Sequence, residues 1–292
     1  MRLRSIEMAL PGAAEASAFL VDHWGLGRPE ARGDTWFLRG SGVDAYLVAL
    51  KESSTRAVLS VTFVGSEDEV EAMGERARAA GAVVRQATDD GAPGGGAGIY
   101  VQGPDGEVFR FLSGVTEIEP LQGVRDMPRR LTHVVMNASD AEATGHFVER
   151  ALDFRVSDRT KGMVFVRCDD SHHSVAFARA GYGSLNHIAF EMADLDAVMR
   201  GVGRMRDIGL TAAWGPGRHG PGDNVFAYFI APFGPVIEYS TAVEKIGPDY
   251  RTGAPEDWTW PENRIDQWGL GGKDVAALAD AERLFRFQRD AL

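Results

Sequence analysis

Leu131-Thr-His-Val-Val-Met136 is an apolar, β-branched run interrupted by one histidine, and it opens the second half of a 292-residue chain. The spacing predicts a strand over Thr132–Asn137, then Ser139-Asp-Ala-Glu142 as a capping box opening a helix to about Leu152. Strands are expected at Met163–Arg167, His173–Phe177 and Leu185–Met192, and Asp194 caps a helix ending near Gly209. Strands over 211–214, 225–231 and 235–240 close the half, the last two joined at Ala231-Pro-Phe-Gly234.

The first half has the same plan. Leu3–Leu10 reads as a strand and Ala13–Trp24 as a helix, followed by strands Thr35–Leu38 and Val43–Leu50 around Gly40-Ser-Gly42. Ala57–Val64 is a strand, and Ser66-Glu-Asp-Glu69 caps a helix that runs to Ala80 and stops at Gly81. Strands 82–86, 98–103 and 107–113 follow, with a glycine-rich connection at Gly91-Ala-Pro-Gly-Gly-Gly96 and a turn at Gly103-Pro-Asp-Gly106. Sliding one half over the other by 127 or 128 residues superimposes Phe19 on Phe147, Phe63 on Phe190 and Pro104 on Pro232. Each half is β-α-β-β-β twice over, which predicts an α+β protein of two tandem modules. The expected divisions are 1–115, a linker 116–129, 130–243, and an extension 244–292.

Composition sets outer limits. Hydrophobic residues at 44% and charged residues at 25% are those of a soluble globular protein. A net charge of −11 argues against nucleic acid or an anionic membrane as partner. No run approaches the roughly 18–20 apolar residues of a membrane helix. Cys168 is the single cysteine, so an internal disulfide is impossible, and no apolar signal segment follows Met1; both point to the cytoplasm. Cys168 reads as a buried structural thiol rather than a nucleophile. Gly94-Gly-Gly96 is followed by no Lys-Ser/Thr and no helix, so it is a connection and not a phosphate loop.

Three strand-like runs each carry one residue able to hold a metal: His133, then His187 in Ser184-Leu-Asn-His-Ile-Ala-Phe190, then Glu238 in Pro235-Val-Ile-Glu-Tyr-Ser240. Two imidazoles and a carboxylate have the composition of a facial Fe(II) site. One such residue alone is more often structural. The repeat supplies a control, because the same slide puts Ser5, Ser60 and Arg110 opposite these three, and no ligand set survives there.

With a histidine in the first strand, another at the next half-module and a glutamate in the last strand, the chain resembles the vicinal oxygen chelate superfamily. Within it, the asymmetry of the two modules resembles the type I extradiol ring-cleaving dioxygenases, over roughly residues 3–242. The resemblance implies the glyoxalase-like fold, with Fe(II), or Mn(II) as a substitute, held by His133, His187 and Glu238 in the C-terminal module. It implies a catecholic substrate and O2 as partners, no nucleic acid or membrane partner, and a homo-oligomer. It also implies an acid/base histidine at His173, with His172 as the alternative, and substrate-orienting groups at His219 and Tyr228. The Gly215-Pro-Gly-Arg-His-Gly-Pro-Gly222 stretch that carries His219 is expected to be a loop.

Rival readings are a glyoxalase-like isomerase, a 2-oxo-acid dioxygenase on the same scaffold, and a non-catalytic binding or resistance protein. Trp214, ahead of that loop, is not a basic group that would clamp a carboxylate, which favours an apolar or bulky catechol. In the extension, Glu256–Trp268 is expected to be ordered and non-helical, wrapping the second module or forming an interface. Asp274–Leu292 is expected to be a helix, with a lid over the pocket as an alternative role.

Overall fold

The protein is described by a computed structural model covering residues 1–288 and Leu292. Its first module runs β1 (Arg2–Leu10), α1 (Ala13–Phe19) continuing as a π-helical turn Leu20–Trp24, β2 (Glu30–Arg32), β3 (Thr35–Leu38), β4 (Val48–Glu52), β5 (Ala57–Val64), α2 (Glu67–Ala79), β6 (Val84–Ala87), β7 (Ala97–Gln102) and β8 (Val108–Ser113). The second runs β9 (Leu131–Ala138), α3 (Ala141–Leu152), β10 (Arg155–Arg159), β11 (Met163–Arg167), β12 (Val175–Arg179), β13 (Ser184–Glu191), α4 (Leu195–Asp207), β14 (Trp214–Arg218), β15 (Val225–Ile230) and β16 (Val236–Thr241). A short helix α5 (Val275–Ala281) follows in the tail.

Each module forms one eight-stranded sheet, ordered β2-β3-β4-β1-β5-β8-β7-β6 and β10-β11-β12-β9-β13-β16-β15-β14. The two orders are the same order, element for element. In each sheet a central antiparallel pair is flanked by parallel neighbours, the signature of two βαβββ units joined side by side. This is the tandem α+β arrangement that the repeat predicts, and it agrees with the glyoxalase-like fold that the resemblance implies.

Strand alternation decides what each face does. Val134, Met136, Ile188, Phe190, Ile237 and Tyr239 point to the helical side and join one core with Trp24, Phe63, Phe111 and Phe154 of both modules or their junction. Trp24 lies flat on Tyr239, ring centres 3.6 Å apart, and accepts the Tyr239 hydroxyl at its carbonyl at 2.7 Å. Burying each large side chain stabilises this core by about 1.5–3 kcal/mol. The opposite face of the second sheet, with His133, Val135, Asn137, Ala178, Tyr228 and Val236, lines a cavity.

Several local expectations shift. The capping box at Ser66 forms in full, with Ser66 accepting from Glu69 N and Glu69 accepting from Ser66 N. At 139–142 the cap is Asp140 instead, whose carboxylate takes Glu142 N and Ala143 N, because Ser139 N is drawn to Asp105. The strand expected from Val43 begins at Val48, the strand expected from His173 begins at Val175, and the short edge strands β2 and β10 carry no strong alternation. Gly215-Pro-Gly-Arg218 is not a loop: with Trp214 it forms β14, an edge strand paired on one side to β15, where a proline without an N–H is tolerated.

The expected terminal helix ends at Ala281. Beyond it Leu185 N donates to Phe285 O, and Arg286 bridges to Ser184, so the tail hooks onto β13 and buries Phe285. Residues 289–291 of that expected helix lie outside the described residues. Among the described residues, no helix is long and apolar enough to cross a membrane.

Candidate metal centre

The sheet brings His133, His187 and Glu238 together from three adjacent strands. Ala189 of β13 pairs with His133 of β9 on one side and with Glu238 of β16 on the other, and His187 lies two residues along the same face. The corresponding registers in the first sheet are Thr62 with Ser5 and with Arg110, so the slide seen in the sequence is the slide of the fold. One ligand-type atom from each of His133, His187 and Glu238 lies within 4.8 Å of the others, and all three residues are buried. Both Nε2 atoms converge on Glu238 Oε2, at 3.1 Å from His133 and 3.2 Å from His187.

Hydrogen bonding behind His187 tests whether this pocket fits a metal. The Glu282 carbonyl can only accept, so the Ser184 hydroxyl donates to it at 2.6 Å. Asn137 Nδ2 then donates to Ser184 Oγ, Asn186 Nδ2 donates to Asn137 Oδ1, and His187 Nδ1–H donates to Asn186 Oδ1 at 2.7 Å. A β-bulge between Leu185 and His187 lets the consecutive Asn186 and His187 both reach the cavity. The neutral His187 ring is thereby fixed with its Nε2 lone pair facing a carboxylate oxygen. Two lone pairs at 3.2 Å repel unless a positive charge lies between them. A proton is disfavoured there, because burial pushes the His187 imidazolium below its usual range against the opposing pull of Glu238. A divalent cation answers both atoms.

Glu238 is prepared in the same sense. Burial pushes its carboxyl up, but His133 and His187 outweigh this and hold it well below the usual carboxylate range, so it is ionised. Asn224 Nδ2 donates to Glu238 Oε1 at 3.2 Å and to Ser240 Oγ at 2.9 Å, which orients the carboxylate. Asn137, Asn186 and Asn224 carry no signal in the sequence alone, since an asparagine in a strand or loop gains meaning only from its partner.

His173 sits just before β12 with its ring 4.3 Å from that of His133, facing the cavity, while His172 turns away from it. Their tautomers follow from a second chain. The buried Asp158 carboxylate accepts His172 Nε2–H at 2.6 Å, with further donors from Gly253 N at 2.7 Å and the Tyr250 hydroxyl at 3.2 Å. With His172 in its neutral form, its Nδ1 is a lone pair and accepts His173 Nδ1–H at 3.0 Å. His173 is left with Nε2 as an acceptor. Burial, followed by His133 and the neighbouring histidines, lowers its basicity well below the usual value, so it is neutral. Gly222, at φ 77°, closes over this pair: a Cβ there would lie 3.0 Å from His172 Nδ1 and from His173 Cε1.

His219 directly follows β14 and its Nε2 lies 2.9 Å from the Tyr228 hydroxyl, which in turn lies 3.5 Å from His187 Nε2. The His219 ring stacks on Phe226 at 3.9 Å. Burial lowers the His219 pKa to about 3, and burial together with Glu238 raises that of Tyr228 well above 10. Tyr228 is therefore a neutral hydrogen-bond donor. The cavity has a volume of 330 Å³, room for one small ring, and the tail contributes Trp260, Ile265, Lys273, Leu278 and Glu282 to its wall.

The counterpart in the first module is closed off differently. Ser5, Ser60 and Thr62 all donate to the Glu7 carboxylate, at 2.6, 2.6 and 2.7 Å, and Arg110 pairs with Asp90 at 2.9 Å. Cys168 has its thiol pushed up to about 12 by burial, which disfavours the thiolate a nucleophile needs.

Residues 130–239 match the profile of the Glyoxalase/Bleomycin resistance protein/Dioxygenase superfamily. Metapyrocatechase 2 of Cupriavidus necator is 30% identical over 189 residues, which are 62% of this chain and 51% of that protein. The chain spans about half the length of this curated relative. Among solved structures, the Mn(II)-bound glyoxalase of Novosphingobium aromaticivorans is 28% identical with a TM-score of 0.85, covering 94% of this chain and 93% of that one. Homoprotocatechuate 2,3-dioxygenase of Arthrobacter globiformis superimposes with a TM-score of 0.86 at 22% identity, over 100% of this chain and 94% of its own, and shares the fold.

Proposed function

From the match of residues 130–239 to the glyoxalase/bleomycin resistance protein/dioxygenase superfamily, together with the geometry of the centre, we propose that this chain is an extradiol ring-cleaving dioxygenase. It opens a catechol beside its two hydroxyls and inserts both atoms of O2. The observation that carries this reading is the His187 lone pair set against an ionised Glu238, completed by His133, beside a neutral histidine and a neutral tyrosine in one small cavity.

In this reading His133, His187 and Glu238 hold the metal, Fe(II) with Mn(II) as a substitute. When bound, the ion supplies Lewis acidity and a shared template for catechol and O2. His173 Nε2, preset as an acceptor, takes the proton of a substrate hydroxyl and returns it later. Tyr228 donates to a substrate oxygen, and His219 fixes the phenol's direction. Asn186 and Asn224 keep His187 and Glu238 in register for the ion. The similarity to Metapyrocatechase 2 supports the assignment.

A division of the chain at residues 116–129 into a scaffolding and a catalytic module belongs to the same reading. So does a cytoplasmic homo-oligomer, in keeping with a single cysteine and with the exposed Leu270 and Val275 of the tail. The likeness to a Mn(II)-bound glyoxalase favours a second reading, isomerisation of a 2-oxoaldehyde adduct. Against it, the first module brings no further ligand to the centre among the described residues. Anaerobic loading with Fe(II) or Mn(II), then catechol and air, separates the two: dioxygenase activity consumes O2 and gives a yellow ring-opened product. Isomerisation of the adduct without O2 uptake across a catechol panel would replace the first reading by the second.

A further inference from the structure

Beyond the ionised Glu238 of the metal centre, the cavity wall holds three charged residues, Arg179, Lys273 and Glu282, two of them cationic in a chain of net −11. Lys273 and Glu282 come from the tail, outside the repeated modules. The Lys273 segment is fixed to β14: Lys273 bridges to Trp214, and Asp274 N donates to the Ala213 carbonyl at 2.7 Å. Its ammonium sits 3.9 Å from the centre of the Trp214 ring. Trp214 lies nearly parallel to Tyr228, ring centres 5.2 Å apart at 15°, and the Tyr228 hydroxyl reaches His187 and His219. One continuous wall therefore runs from a metal-site histidine through two aromatic planes to a cation.

Among the described residues, the Lys273 ammonium makes no ion pair within 4.0 Å and no hydrogen bond; its direct contact is with the π-face of Trp214, Glu282 acts on it at longer range, and burial lowers its basicity. Three N–H donors at a cavity mouth, held in place by the backbone, are left to solvent or ligand. Glu282 is the opposing charge on this wall; burial raises its pKa, while the hydrogen bond from Asn137 and the charge of Lys273 hold it down. Arg179, at the end of β12 on the same cavity, adds a second positive group.

We propose that Lys273 is a specificity-determining residue that selects catechols bearing a carboxylate on the ring carbons remote from the hydroxyls. The inference rests on the extradiol reading for the placement of the two hydroxyls at His133, His187 and Glu238. With the hydroxyls there, a ring lying along Tyr228 and Trp214 carries its far substituent to the ammonium. This proposal differs from the apolar or bulky catechol expected from Trp214 alone, because a distant stretch of chain brings a cation to that residue.

The test compares (3,4-dihydroxyphenyl)acetate with its methyl ester, which differs mainly in charge. Binding of both to the Mn(II)-loaded protein is measured without oxygen, for the native chain, Lys273→Met and Lys273→Arg. The native protein should bind the acid at least about tenfold more tightly than the ester. Lys273→Met should bring that ratio to within about threefold of one, and Lys273→Arg should restore it. A native ratio near one, or a ratio unchanged in Lys273→Met, overturns the inference. Oxygen uptake on the same compounds is read separately: an acid preference in binding with no uptake leaves the role of Lys273 standing and sinks the dioxygenase reading. Uptake without an acid preference does the reverse.

Discussion

Asp158→Asn is the substitution that most sharply separates a tuned proton acceptor from a merely buried histidine. Asp158 does not touch the three metal-site residues; it acts on His172 at 2.6 Å, and His172 acts on His173 at 3.0 Å. An asparagine of the same shape keeps its Oδ1 for Gly253 N and must turn its Nδ2 donor toward His172. His172 then has to accept at Nε2 and carry its proton on Nδ1, so it donates to His173 Nδ1. His173 is forced to hold its proton on Nε2, pointing into the cavity, where it can no longer accept one. Loss of a positioned general base costs about 10²–10⁴-fold in turnover, or roughly 3–5 kcal/mol of transition-state stabilisation. The assay is O2 uptake by the Fe(II)-loaded variant at saturating catechol, alongside its metal content. The predicted result is a fall in kcat in that range with full metal occupancy. Turnover within about threefold of the native protein would refute the tautomer argument, and so would metal loss that accounts for the whole decline.

Three further outcomes follow from the same geometry. Asn186→Leu and Asn224→Leu should each weaken metal binding by about 10–100-fold in a competition titration with a chelator, since each removes the group that orients one ligand. The metal-free protein should lose stability as pH falls: the His219 pKa is depressed to about 3, so below an unfolded value near 6.5 the unfolded chain binds the extra proton. Its contribution is complete above that value and lost toward acid, about 2 kcal/mol by pH 5, with His173 and His187 shifted in the same direction; urea unfolding at pH 7 and pH 5 measures it. Gly222→Ala should cut turnover while leaving a folded chain, because its Cβ meets both His172 and His173 at 3.0 Å from a backbone at φ 77°. An alanine there with native kinetics would show that the histidine pair has room to move.

Much of the architecture was legible because alternation and capping are local. Phe63 and Phe190, or Ser66 and Glu69, carry their meaning within a few residues, and the repeat then doubled every signal. The grouping of His133, His187 and Glu238 was visible through contrast with Ser5, Ser60 and Arg110, a comparison the chain makes with itself. What was hidden is non-local. β14 reads as a loop because glycine and proline dominate it, yet an edge strand needs partners on one side only. Asn137, Asn186, Asn224 and Asp158 are ordinary polar residues until a partner fixes which atom donates. The tail could be recognised as ordered from its tryptophans, but nothing in its composition says that Lys273 reaches Trp214 or that the helix stops at Ala281 so that Phe285 can tuck under β13.

The proposed chemistry requires a cation between His187 and Glu238, with His133 as the third ligand. The direct measurement is metal content and O2 uptake of the protein reconstituted anaerobically with Fe(II), native against His187→Ala. The native chain should bind one ion and consume O2 with a catechol, and the variant should stay folded yet hold no ion and consume none. Full iron binding and O2 uptake without His187 would contradict the account.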